Sequence, residues 1–245
     1  VTIDNCTMVG GLTVIQILNS GDCKVQVQNS TLKGTSGTLA YQNDCDQQTA
    51  IFTGNEVTSN ITLASMNTAE AQTLVAEDNV VDGTAQYWLF ELVGRSATDQ
   101  HVNLTNNHFT QTAGILHCYH PTITGPAGQE VRLLGNSFNQ TSNVALLEIA
   151  SSNSFDQTLY MEGNTVFDSP EATAMFQMSA NSSTTPGDQI ATFKNNNFTD
   201  NASGEEAVIT MSGSNRQNVT MEGNQFLRSS SFSYGAVFDI NSLGD

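Results

Sequence analysis

The chemistry this chain could carry starts with its asparagines. Asn-x-Ser/Thr, the acceptor pattern for N-linked glycan, occurs at Asn5, Asn29, Asn60, Asn103, Asn139, Asn181, Asn197, Asn201 and Asn218. With 25 Asn, 23 Ser and 29 Thr in the chain, composition alone predicts roughly five such patterns, so nine is a modest excess. The expectation is a secreted chain whose partners include covalently attached N-linked glycans.

The four cysteines are Cys6, Cys23, Cys45 and Cys118. Cys23 and Cys45 follow similar short stretches, Gly21-Asp22 and Asn43-Asp44, ahead of strand-like segments. A disulfide between them is expected, and it would suit an extracellular protein. Cys6 and Cys118 read as buried free thiols that behave as small hydrophobes. A shared zinc site is not expected, because no CxxC pair exists. His117-Cys118-Tyr119-His120 is the only histidine cluster. As a strand it puts His117 and Tyr119 on one face and Cys118 on the other, which defeats a three-ligand metal site. It reads as an exposed strand end before Pro121. Glu205-Glu206, and Asp168 near Glu171, are acidic pairs of the kind that solvated loops carry. No metal and no cofactor is expected.

An enzyme on this chain would be carbohydrate-active, a lyase or a glycoside hydrolase. Those chemistries need clustered carboxylates and a base. Arg132, and a stripe of Glu77, Thr105, Leu134, Glu162, Lys194 and Glu222, are the nearest candidates. Alternating charge in such a stripe also has a structural reading, as attraction across strands. No catalytic residue is assigned.

What must position these residues is a repeat. A pair of turn-forming residue and anchor recurs, with anchors at Cys6, Ser30, Asn55, Asn79, Asn107, Asn136, Asn164, Asn196 and Asn224. Apolar residues sit five and three before each anchor and two after it, as in Val131, Leu133 and Phe138 around Asn136. The residue before every anchor is Gly, Asn or Asp, the types that accept a left-handed backbone at low cost. About ten residues after the anchor a second alternating segment follows, such as Ala145-x-Leu147-x-Ile149, Ala174-x-Phe176-x-Met178 or Trp88-x-Phe90-x-Leu92. Period-two alternation means strands with one face buried, and no window shows helical periodicity.

A helix-free unit of this size cannot bury its apolar face alone, but stacked copies can. The expected fold is all-β: one domain over 1–245, a right-handed parallel β-helix of about nine coils. At about 4.8 Å per coil the rod is on the order of 40 Å long. The anchors should form a hydrogen-bonded asparagine ladder, with Phe109, Phe138, Phe198 and Phe226 stacked beside it.

The Gly-Asn-x-Phe turns, the Asn column and Gly235-Ala236-Val237 resemble the right-handed β-helices of the pectin-lyase-like superfamily. The spacing is closest to the polymorphic outer-membrane and surface-adhesin members. That resemblance covers the whole chain, and it implies fold far more than function.

Charge narrows the partners. Lys plus Arg number 7 against 24 Asp plus Glu, for a net charge of −17. Charged residues are 13% of the chain, about half the usual ~25%. Seven cations spread from Lys24 to Arg228 cannot release the counterions that nucleic-acid binding needs. No apolar run reaches membrane-spanning length. The chain has neither an initiator Met nor a signal-like segment, so it reads as a mature product or a fragment. No capping helix is evident, and open solenoid ends are unpaired sheet edges. The functional expectation is an extracellular or cell-surface structural rod, an adhesin or filament subunit that self-associates through its ends. Its variable loops, His120 to Glu130 and Asn181 to Gln189, would present contact surface.

Overall fold

The computed structural model describes residues 1–10, 15–83, 88–94, 99–110, 114–120, 128–140, 145–151, 156–168, 174–180, 187–200, 207–213, 216–228 and 238–241. Among these there is no helix, and every paired strand is parallel to its neighbour. The chain is a parallel β-solenoid.

Its first sheet has nine strands, from Thr2–Asp4 and Asp22–Gln28 through Asp99–Thr105, Gly128–Leu134 and Asp156–Glu162 to Arg216–Glu222. Each precedes one anchor. The pairing is in register, so one inward column runs Val25, Ala50, Leu74, Val102, Val131, Leu159, Ala191, Val219. A second runs Val27, Phe52, Ala76, Leu104, Leu133, Met161, Phe193, Met221. Equivalent residues stack because a one-residue slip would turn every apolar side chain to solvent.

At each anchor the chain leaves this sheet. The nine residues before the anchors, Asn5, Asn29, Gly54, Asp78, Asn106, Gly135, Gly163, Asn195 and Gly223, all have φ between 51° and 67°. Only Gly, Asn and Asp take that left-handed turn cheaply, which explains the composition of the column. Short strands follow, among them His108–Thr110, Ser137–Gln140 and Thr165–Asp168. A third ladder then includes Trp88–Val93, Gly114–His120, Leu147–Ser151 and Ala174–Ala180. The long strands Thr31–Asn43 and Glu56–Asn67 run through both, joining them into one 16-stranded sheet.

The turns are held by the anchor ladder. Asn136 Nδ2 donates to Asn164 Oδ1 at 3.1 Å and to the Leu104 carbonyl at 2.7 Å, while the Asn136 backbone N–H donates to the same Asn164 oxygen at 2.9 Å. The same three bonds recur at Asn55, Asn79, Asn107, Asn164 and Asn196. Each buried asparagine therefore satisfies polar groups that the bend would otherwise orphan. Ser30 continues the ladder, accepting from the Cys6 backbone N–H at 3.1 Å.

A second polar ladder runs seven residues before the anchors. Gln72, Gln100, Gln129, Gln157, Gln189 and Gln217 each donate Nε2 to the Oε1 of the glutamine one coil earlier, at 2.7 to 3.0 Å. These amides also cap carbonyls at the end of the third ladder, as Gln129 does for Cys118 and Ala150.

The aromatic column is shorter than the sequence suggests. Phe109 stacks on Phe138 at 5.4 Å and Phe198 on Phe226 at 4.8 Å. Val166 lies in register between Phe138 and Phe198 and separates the two pairs. Trp88 also departs from its apparent pattern. Phe90 and Leu92 are buried in the core, but Trp88 is only part-buried and its indole lies against His117.

Candidate functional site

Two outward faces collect the chain's reactive side chains. The first is the outer face of the nine-stranded sheet. There Asn103, Arg132 and Tyr160 lie in register on three successive strands. A groove of about 150 Å³ is lined by Thr73, Val75, His101, Asn103, Glu130 and Arg132. His101 Nδ1 sits 3.4 Å from Glu130 Oε2, with both side chains about half exposed, where such a pair contributes little stability. The Arg132 guanidinium lies 5.5 Å from the centre of the Tyr160 ring. Tyr160 donates its hydroxyl to Glu162 Oε2 at 2.7 Å, and that bond pushes the phenol above its ordinary pKa. Lys194 stands in register between Glu162 and Glu222, 3.9 Å from Glu222 Oε2. Toward the sheet edge, Arg216 forms a forked ion pair with Asp188. The guanidinium holds that carboxyl below its usual range.

The second face belongs to the third ladder. Ser65, Glu91, His117, Glu148 and Gln177 form one outward column. His117 Nδ1 is 3.9 Å from Glu91 Oε1, and Nε2 is 3.9 Å from Glu148 Oε2. The imidazole is sandwiched along its strand, 5.0 Å from the Trp88 ring and 5.6 Å from Tyr119, with planes 17° and 9° from parallel. Ser65 Oγ donates to Glu91 Oε2 at 3.3 Å. Contact with His117 is the main cause that holds the Glu91 carboxyl below the ordinary carboxylate range, against the opposing effect of burial. The result is a column in which one imidazole stands between two carboxylates on the sheet face.

The histidine-cysteine segment alternates as its sequence dictates, but it is not an exposed strand end. Cys118 and His120 are both fully buried. Burial drives the Cys118 thiol far up, which makes it an inert core residue. Burial also pushes His120 down to about 4, so the ring is neutral inside the fold.

Cys6, expected to be buried, is exposed at the first anchor, where Sγ donates to the Asp4 carbonyl at 3.2 Å. Cys23 and Cys45 are bonded to each other, with Cα atoms 6.0 Å apart. Cys45 keeps the loop setting read in the sequence, ahead of the strand Gln47–Thr53, but Cys23 does not. Cys23 lies inside the strand Asp22–Gln28, in register with Gln48, at the position glutamine holds in later coils. Cys45 follows the strand Thr31–Asn43.

Of the acceptor asparagines, Asn5, Asn29, Asn60, Asn103 and Asn218 are exposed, and Asn139 and Asn197 are part-buried in strands. Asn181 and Asn201 lie outside the described residues, as do Glu171, Glu205, Glu206 and most of both contact loops. Among the described residues no three His, Cys, Asp or Glu side chains come together as a metal site, and no helix is long and apolar enough to cross a membrane.

Sequence reading missed the glutamine ladder and the Glu91–His117–Glu148 column. The first had a plain signal, glutamine seven before seven successive anchors. The second had none within one segment, because its members come from three coils. No protein-family model matches the chain, and neither the comparison with curated proteins nor that with solved structures gives a match.

Proposed function

We propose that this chain is an extracellular structural rod, an N-glycosylated β-solenoid that serves as a surface adhesin or filament subunit. The observation that carries this reading is the pair of buried amide ladders. From Asn55 to Asn224, and from Gln48 to Gln217, each coil is tied to the next by side-chain hydrogen bonds. A satisfied network of that kind rigidifies a fold and sets its register. Its polar interior is devoted to axial continuity, which suits a spacer or scaffold. The Cys23–Cys45 bond fits an oxidising compartment. Within the right-handed, pectin-lyase-like β-helices, the adhesin branch accords best with this chain.

End-to-end association of copies belongs to the same proposal. Thr2–Asp4 and Arg216–Glu222 are the outermost strands of the described nine-stranded sheet. A neighbouring copy could extend that sheet at either edge in the same parallel sense. Electron microscopy of native material tests this. Rods in multiples of a unit length are expected, and single particles of one length at every concentration would sink the filament version.

A carbohydrate-active enzyme is the second reading, and one observation favours it. The groove beside Arg132 brings His101 and Glu130 together on an open sheet face. Incubation with a panel of polysaccharides decides it. New reducing ends or unsaturated products that vanish in Glu130→Gln would establish the enzyme, and their absence across the panel would remove it.

A further inference from the structure

We infer that the groove on the nine-stranded sheet is the seat of the chain's own N-linked glycan, attached at Asn103. This rests on the glycosylation reading above and assigns it a specific place and contact surface.

The acceptor triplet Asn103-Leu104-Thr105 lies wholly within the strand Asp99–Thr105. Strand alternation sends Leu104 into the core, where it is fully buried, and puts Asn103 and Thr105 on the same outer face. The acceptor amide and the hydroxyl that completes the triplet are therefore presented together. Asn103 is exposed, and it lines the groove rather than standing on a bare surface.

The groove's chemistry suits the first sugar of such a glycan. Val75, in register beside Asn103, offers an apolar wall for a ring face or an acetamido methyl. Arg132, in register on the other side, offers guanidinium donors, and Glu130, His101 and Thr73 supply acceptors and donors for hydroxyls. The combination recurs at Asn218, which shares a groove of about 480 Å³ with Ile190, Asp188 and Arg216. The exposed acceptor Asn29 differs. It sits on a tight turn with its Nδ2 already donating to Asp4 Oδ1 at 3.2 Å.

The attachment is a group transfer from a lipid-pyrophosphate-linked oligosaccharide, made by a secretory oligosaccharyltransferase. Asn103 Nδ2 bonds to C1 of the sugar and loses one proton. The bond from C1 to the pyrophosphate oxygen breaks, and the lipid pyrophosphate leaves with the electron pair. A glycan seated here covers the surface on which a polysaccharide substrate would lie, so at this face glycan and enzyme exclude each other.

The test uses the full chain secreted from eukaryotic cells. Glycopeptide mass spectrometry reads occupancy at each acceptor. Native release by peptide-N-glycosidase, and hydrogen exchange, then compare wild type with Thr105→Ala, which removes the acceptor pattern, and Thr105→Ser, which keeps it. Asn103 is expected to be occupied, and its glycan to be released at least about tenfold more slowly than that of Asn60, the equivalent of about 1.4 kcal/mol of protection. Exchange in Ala71–Glu77 and Gly128–Leu134 should rise in Thr105→Ala and not in Thr105→Ser. An unoccupied Asn103 with another acceptor occupied overturns this inference and leaves the glycosylation reading standing. No occupancy anywhere overturns that reading itself. An Asn103 glycan released as fast as that of Asn60, with exchange unchanged, overturns the seat.

Discussion

Trp88 lies flat against His117, 5.0 Å away, and residue 114 must be glycine for it to do so. A Cβ at Gly114 would fall 2.2 Å from Trp88 Cε3 and 2.3 Å from Cζ3. Gly114→Ala should therefore displace the indole and open the stack that holds His117 between Glu91 and Glu148. The expected cost is about 1–3 kcal/mol, the usual range for overpacking. Trp88 is the chain's one tryptophan, so its fluorescence reports the displacement directly. A wild-type spectrum and an unchanged denaturation midpoint would count against this account.

Asn136 tests the anchor ladder at its centre. Its Oδ1 accepts from the Asn107 backbone N–H and from Asn107 Nδ2, and its Nδ2 serves the Leu104 carbonyl. With the bond from Nδ2 to Asn164 Oδ1, Asn136→Ala removes four side-chain hydrogen bonds from a buried turn and leaves the Asn107 backbone N–H without its side-chain acceptor. A loss of about 2–5 kcal/mol is expected from orphaned groups of this kind. Asn136→Asp should be at least as damaging, because an oxygen would then face the Leu104 carbonyl and Asn164 Oδ1. Urea denaturation of both variants is the measurement. Losses below about 0.5 kcal/mol, the range of ordinary surface substitutions, would mean the ladder is ornamental.

How much of this was legible in sequence depends on which regularity is local. The turn column and the inward apolar columns repeat within each coil, so Asn136 and Phe138 announce themselves. The glutamines repeat just as regularly, and alternation puts Gln72 on the inward face with Leu74 and Ala76, but a polar residue at the start of a strand reads as surface by its polarity. Their burial becomes intelligible only once the third ladder's carbonyls are seen above them, and the same blindness hid the inward position of Cys23. His120 departs from expectation for a related reason. Pro121 suggests a strand end, yet the alternation Leu116, Cys118, His120 continues inward, and burial followed the alternation. Trp88 and His117 are far apart in sequence, and nothing local marks Gly114 as the seat for an indole.

The Cys23–Cys45 bond spans a separation of 22 residues. In the chain-entropy account a loop of that size contributes about 3 kcal/mol by restricting the unfolded chain. The Cys23→Ala, Cys45→Ala double variant should lose about that much, and so should the reduced wild type. Thermal melts with and without reductant check it. If reductant shifts the melt of the double variant as far as that of the wild type, the bond is not the cause.

Buried His120 should make stability pH-dependent below neutrality. Its ring is held down to about 4 in the fold, against about 6.5 for an unfolded histidine. Between those values the unfolded chain binds a proton that the folded chain refuses. Stability therefore rises with pH across this window, and it falls as pH drops from about 6.5 to about 4. The loss approaches on the order of 3 kcal/mol for this one group. Glu91 adds to the acid sensitivity from the carboxylate side. Its folded-state value is depressed, so its contribution is present above the unfolded carboxylate range and is lost as pH falls through the lower folded value. Because other carboxylates titrate in the same region, the informative quantity is a difference. His120→Gln and wild type should be compared by urea denaturation at pH 7 and at pH 4.5. The variant is expected to be less stable at pH 7, where it replaces a packed ring, and to show a shallower decline toward pH 4.5. Parallel declines would place the acid sensitivity elsewhere in the rod.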